Sequence, residues 1–78
     1  MRELLEFIAR SLVSCPDEVS VNEVGTGSDR SVILELRVAK EDMGKVIGKQ
    51  GKIARAIRMV MKAAAVRENI HVSVEIVP

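Results

Sequence analysis

Aromatic side chains are almost missing from this chain: Phe7 is the only one in 78 residues, and there is no tryptophan or tyrosine. Binders that stack bases on rings need several such side chains on one surface, so the scarcity counts against an RRM-type or OB-type nucleic-acid module. One cysteine, Cys15, permits no internal disulfide and fits a reducing cytoplasm. With His71 the single histidine, no ligand set for a metal or haem can be assembled, and no cofactor is expected. No apolar run approaches the ~20 residues of a membrane span. Arg2, Glu3 and Glu6 interrupt the N-terminal apolar residues where a secretory leader would be continuous.

Enzymatic signatures are missing as well. The dinucleotide pattern GxGxxG does not occur, and residues 44–50 (GKVIGKQ) are one spacer short of the phosphate loop GxxxxGK[ST], with Gln50 where the magnesium-binding hydroxyl belongs. His71 stands on a strand without a nearby nucleophile, and Cys15 before Pro16 reads as a packing residue at a helix end. A catalytic function is therefore not expected.

What the chain does have is a polarised charge distribution. Its net charge is only +1. Residues 40–67 nevertheless carry eight basic side chains against two acidic ones, Glu41 and Asp42, while the remainder carries four basic and nine acidic. One side of the molecule is thus strongly basic, the footprint of a polyanionic partner.

Periodicity predicts the order α-β-β-α-α-β. Leu4, Leu5, Ile8, Leu12 and Val13 recur at helical spacing over residues 2–14, and Pro16 ends that helix. A strand over residues 19–24 follows, then a turn-forming run at residues 25–29. The strand over residues 32–38 alternates cleanly, with Val32, Leu34, Leu36 and Val38 on one side and Ile33, Glu35 and Arg37 on the other. A short helix spans residues 41–47, its acidic first turn matching the helix dipole. A longer helix spans residues 52–66, and a last strand residues 70–77 with Ile70, Val72, Val74 and Ile76 inward. Without linker, repeat or low-complexity tract, a single domain over residues 1–78 is expected. On the long helix, Ile53, Ile57, Val60 and Ala64 are predicted to face the core. Lys52, Arg55, Arg58 and Lys62 form an opposite stripe about 120° wide, and four like charges in line favour a polyanion over any structural need.

Between the last two helices lies Gly48-Lys49-Gln50-Gly51. Two glycines let the backbone turn tightly and approach a ligand, and the helix that follows points N–H groups and a positive dipole end at the same place. The device suits phosphates. The run GKVIGKQGKIARAI resembles the signature of the KH domain, whose GxxG loop clamps about four nucleotides of single-stranded backbone. The likeness covers essentially the whole chain. With the opening helix, the PDEV at residues 16–19 and the alanine-rich helix end, it is closest to the small one-domain bacterial KhpA family.

That resemblance implies an α+β, type II KH fold: a three-stranded mixed sheet with helices packed on one face. It implies an RNA-binding site made of Lys45, Val46, Ile47, Gly48, Lys49, Gln50, Gly51, Lys52 and Arg55. Lys49 and Gln50 would meet phosphate or sugar oxygens at the loop tip, Lys45, Lys52 and Arg55 would extend the basic track, and Val46 and Ile47 would offer an aliphatic floor for bases, unless Ile47 belongs to the core. Gly44 would give room for close helix packing or for passing nucleic acid. The family further implies a cytoplasmic RNA chaperone that self-associates or pairs with KhpB, a larger protein with its own KH module, in RNA regulation linked to cell-wall synthesis and cell shape.

A second class of function stays open beside this one. The N-terminal helix together with Met59, Met61 and residues 63–66 offers more apolar surface than one sheet face requires. A fold used for dimerisation, with little nucleic-acid binding of its own, would use that surplus.

Overall fold

The computed structural model describes residues 1–25 and 30–78. Its elements are α1 (Arg2–Leu12), β1 (Ser20–Gly25), β2 (Ser31–Arg37), α2 (Met43–Ile47), α3 (Lys52–Arg67) and β3 (His71–Val77). Single 3-10 turns stand at Pro16–Glu18, Lys40–Asp42 and Lys49–Gly51. The α-β-β-α-α-β order agrees with the periodicity. The turn expected at residues 25–29 lies, apart from Gly25, outside the described residues.

β2 is the middle strand. It runs antiparallel to β1, with Val21 opposite Leu36, and parallel to β3, with Leu34 opposite Val74. Adjacent antiparallel strands can be joined by a short connection, whereas a parallel pair needs a long crossover, which α2 and α3 supply. Leu34 and Leu36 are fully buried at the centre, packed with Leu5 and Ala9 of α1, Val46 of α2, Ile57 and Met61 of α3, and Val74 of β3. Among the described residues, no helix is long and apolar enough to cross a membrane.

The end of α3 is set by a residue without the usual glycine. Asn69 takes the left-handed conformation (φ 58°), its N–H donates to Val66 O (3.0 Å), and the Ile70 N–H donates to Ala65 O (3.0 Å). These paired bonds satisfy the last carbonyls of the helix in a Schellman arrangement, which asparagine tolerates better than most side chains. The chain leaves the helix there and enters β3.

Two helical faces differ from expectation. α3 buries Ala54, Ile57, Met61 and Ala65, while Val60 is 47% exposed and Ile53 only half-buried. α1 buries Leu5 and Ala9 and leaves Leu4, Phe7 and Leu12 exposed. On α3 the alanines and methionines widen the apolar arc, so several rotations satisfy a helical period. Docking against the sheet and α2 selects the one centred on Ile57 and Met61. The displaced side chains of both helices meet at the surface in an apolar groove lined by Leu4, Phe7, Ile8, Ile53, Ala56 and Val60.

Candidate nucleic-acid interface

The link between α2 and α3 turns through three positive φ values within four residues. Gly48 has φ 75° and ψ 174°, Gln50 φ 58° and ψ 25°, and Gly51 φ 75° and ψ 16°. Its hydrogen bonds are local: Gly48 N–H donates to Gly44 O (2.9 Å) and Gly51 N–H to Gly48 O (3.1 Å). The two glycines serve different needs. A Cβ on Gly48 would lie 2.6 Å from Ile53 Cγ1, whereas a Cβ on Gly51 would meet nothing within 4 Å. Gly48 is demanded from the inside by packing; Gly51 faces open space at the start of α3, whose N-terminus has no side-chain cap. Gln50 is the unusual member, since a non-glycine residue in the left-handed region is strained by roughly 1–2 kcal/mol. Lys49 and Gln50 are both at the tip and both exposed.

Lys52 and Arg55 continue from the loop along the exposed side of α3, as the stripe predicted. Arg58 and Lys62, further along the same stripe, reach β3. Arg58 Nε donates to Val74 O (3.2 Å), and with Lys62, Val72 and Ser73 it lines a shallow depression against that strand. Among the described residues β3 pairs only with β2 and is therefore a sheet edge. The basic track thus runs from the glycine loop along α3 beside the β3 edge. Arg58 and Lys62 belong to the track by position, although the motif alone stops at Arg55; their place on the helical stripe was the available signal.

Three expectations are corrected. Val46 is fully buried in the core and Ile47 only half-buried, so Val46 is not available as an aliphatic floor. The alternation of a five-residue helix is too short to settle which of two adjacent residues turns inward. A Cβ on Gly44 would meet nothing within 4 Å, so close packing does not explain that glycine. Lys45 is half-exposed but directed inward: its Nζ lies 3.1 Å from Asp42 Oδ1 and donates to Ser14 Oγ.

Asp42 is the residue that periodicity misplaced. Its place in the acidic first turn suggests service to the dipole of its own helix, yet it is the only buried charged residue among those described. It makes no capping bond to α2. Instead Ser14 N–H donates to Oδ1 (3.2 Å) and Cys15 N–H to Oδ2 (3.0 Å), across 28 and 27 residues of sequence. Burial pushes the carboxyl up, but these two N–H groups and the Lys45 ammonium outweigh it and hold Asp42 below the ordinary aspartate range. Burial, then the Asp42 and Glu41 carboxylates, push the neighbouring Cys15 thiol up.

The KhpA/KhpB KH-domain family model matches residues 2–76. The chain is 70% identical over 77 residues to a Clostridium acetobutylicum protein named RNA-binding protein KhpA, covering 99% of this chain and all of that one. It is 62% identical over 77 residues to a Clostridium perfringens protein of the same name, with the same coverage. A third, from Borreliella burgdorferi, is 50% identical over 74 residues, covering 95% of this chain and 88% of its own. No solved structure matches the chain significantly. A glycine loop between two helices, a basic track beside a sheet edge, a mixed three-stranded sheet and near-complete overlap with these relatives agree: the chain belongs to the KhpA/KhpB family of KH domains, with the type II fold.

Proposed function

We propose that this chain is a single KH module that binds single-stranded RNA at the GKQG loop and along the basic side of α3, with no catalytic role. The observation that carries the reading is Gly51: positive φ, no atom within 4 Å of its missing side chain, and a position at the uncapped start of α3 between exposed Gln50 and Lys52. Backbone at Gly48 and Gly51 approaches phosphate there, and Lys49 and Gln50 meet phosphate or sugar oxygens. Such contacts give position and affinity with little sequence information. Lys52 and Arg55 carry the track toward Arg58 and Lys62, and Ile47 offers aliphatic contact to bases. The relatives' name, RNA-binding protein KhpA, supports RNA as the partner. With so few nucleotides held, the module acts as a weak, sequence-tolerant RNA chaperone in the cytoplasm. Family membership supports partnership with KhpB in RNA regulation linked to cell-wall synthesis and cell shape.

The test is a titration of a fluorescent single-stranded RNA, about ten nucleotides long so that the roughly four-nucleotide footprint fits, with the wild type and the Lys49→Asp/Gln50→Asp variant. Both substitutions are at the loop tip, so the fold persists. Loss of binding supports the reading, and unchanged affinity in the folded variant overturns it.

A second reading, assembly, is favoured by the apolar groove between α1 and α3, where Phe7 is 70% and Val60 47% exposed. Met59, also 70% exposed, extends the apolar surface along α3. Homodimerisation or pairing with KhpB would cover such surface and double the RNA track. A second, tethered contact raises apparent affinity by ~10²-fold or more without new chemistry. Sedimentation over a concentration series, with and without RNA, tests it: a strict monomer that also ignores KhpB rules it out.

A further inference from the structure

Asp42 and Lys45 flank the first turn of α2, and neither is spent on that helix. The buried carboxylate takes both of its main-chain hydrogen bonds from Ser14 and Cys15, the segment that leaves α1. Lys45, one turn on, bonds the same carboxylate and the Ser14 hydroxyl. Four residues from two distant segments thus close on one another, the last of them, Lys45, three residues before Gly48. α2 is only five residues long, too short to hold its own orientation by internal hydrogen bonds. Its deepest apolar anchor is Val46, fully buried, with Met43 and Ile47 partly buried against the same core. Such apolar contacts are non-directional, so they restrain a short helix's distance from the core more firmly than its rotation. A second, directional tether removes the rotation.

We propose that Asp42 and Lys45 form a strap to Ser14 and Cys15 that fixes α2, and through it the glycine loop, relative to α1, so that both are positioning residues for RNA binding and the Lys45 ammonium is not a phosphate ligand. This rests on the reading of the loop as an RNA clamp. It separates Lys45 from Lys52 and Arg55, which the sequence motif treats alike. The carboxylate is specifically required. An asparagine has one acceptor oxygen, and its NH2 would oppose a main-chain N–H or the ammonium.

The experiment has one arm without RNA and one with it. In free protein, amide NMR of Asp42→Asn and of Lys45→Met should show displaced Gly48 and Gly51 resonances, with faster hydrogen exchange at Ser14 and Cys15 in Asp42→Asn. Unmoved glycine resonances in the folded variants overturn the strap. In the second arm, affinity for a single-stranded RNA is measured against salt. A loop held in its competent geometry a tenth of the time loses about tenfold in apparent affinity, the loss expected for Asp42→Asn. Lys45→Met should bind more weakly yet keep the wild-type salt slope, whereas Lys52→Ala should lower it by about 0.7. The double variant Asp42→Asn/Lys45→Met should be no worse than Asp42→Asn alone, because one strap is cut once. A Lys45→Met slope reduced like that of Lys52→Ala makes Lys45 a phosphate ligand and overturns the proposal. Should Asp42→Asn not fold, Lys45→Met, altered at a half-exposed side chain, carries both arms. A wild type that binds no RNA overturns the clamp reading instead, and the strap then stands or falls on the glycine resonances.

Discussion

Ile53 fills the space that a side chain at position 48 would need: a Cβ on Gly48 would lie 2.6 Å from Ile53 Cγ1 and 2.9 Å from Ile53 Cβ. The first turn of α3 is packed directly under the start of the glycine loop. The two glycines of the motif are therefore unequal, one held by a neighbour and one by backbone conformation alone.

Gly48→Ala should accordingly destabilise the protein by about 3 kcal/mol, combining positive-φ backbone strain of roughly 1–3 kcal/mol with overpacking of roughly 1–3 kcal/mol. Gly51→Ala carries only the strain and should cost about 1 kcal/mol. Urea denaturation of both variants checks this, and equal losses would contradict the packing seen at Ile53.

The rotated face of α3 gives a second test. Met61→Ala removes a fully buried side chain and should cost about 2–5 kcal/mol. Val60→Ala, at a side chain nearly half exposed, should cost less than about 1 kcal/mol. The helical pattern alone ranks Val60 as the core residue, so thermal melts of the pair discriminate between the two faces.

Phosphate neutralisation along the track should appear in the salt dependence. Arg55→Ala and Lys62→Ala should each weaken RNA binding similarly for unrelated sequences and lower the log–log salt slope by about 0.7 for each phosphate no longer neutralised. Binding that ignores salt between low and physiological ionic strength would refute an electrostatic track.

Acid stability should report Asp42. In the unfolded chain this carboxyl protonates near ~3.9; in the folded protein its hydrogen bonds hold it charged to lower pH. Its stabilising contribution is thus complete above that unfolded value and is lost as pH falls through the lower folded one. Stability measured from neutral pH into acid should fall most steeply below about 4, and Asp42→Asn should remove part of that fall. A variant whose acid profile parallels the wild type would show that folding does not lower the Asp42 pKa.

Element order, the clean alternation of β2, the glycine loop and the basic stripe were all legible in the sequence. Each is written in residues close together in the chain, where a period of 2 or 3.6 or a local turn requirement acts directly. Even the separation of Lys52 and Arg55 from Ile57 follows from helix geometry with no knowledge of the rest of the molecule.

Other features depended on what each element packs against. A helix with alanines and methionines around an apolar arc has several acceptable rotations, and only docking onto Leu34 and Leu36 chose Met61 over Val60. α1 turned Leu5 and Ala9 inward for the same reason and left Phe7 in the groove. The partner strand for the basic track became visible once the parallel pairing with β2 made β3 an edge. Asp42 shows the division most clearly. Its partners lie 27 and 28 residues away, and nothing in its neighbourhood of charged residues separates a solvated carboxylate from one enclosed by main-chain N–H groups. Local spacing determined which elements form and where the glycine loop and the basic stripe lie. Long-range packing decided which side chains were left to bind, because burial is a property of the assembled fold and not of any one segment.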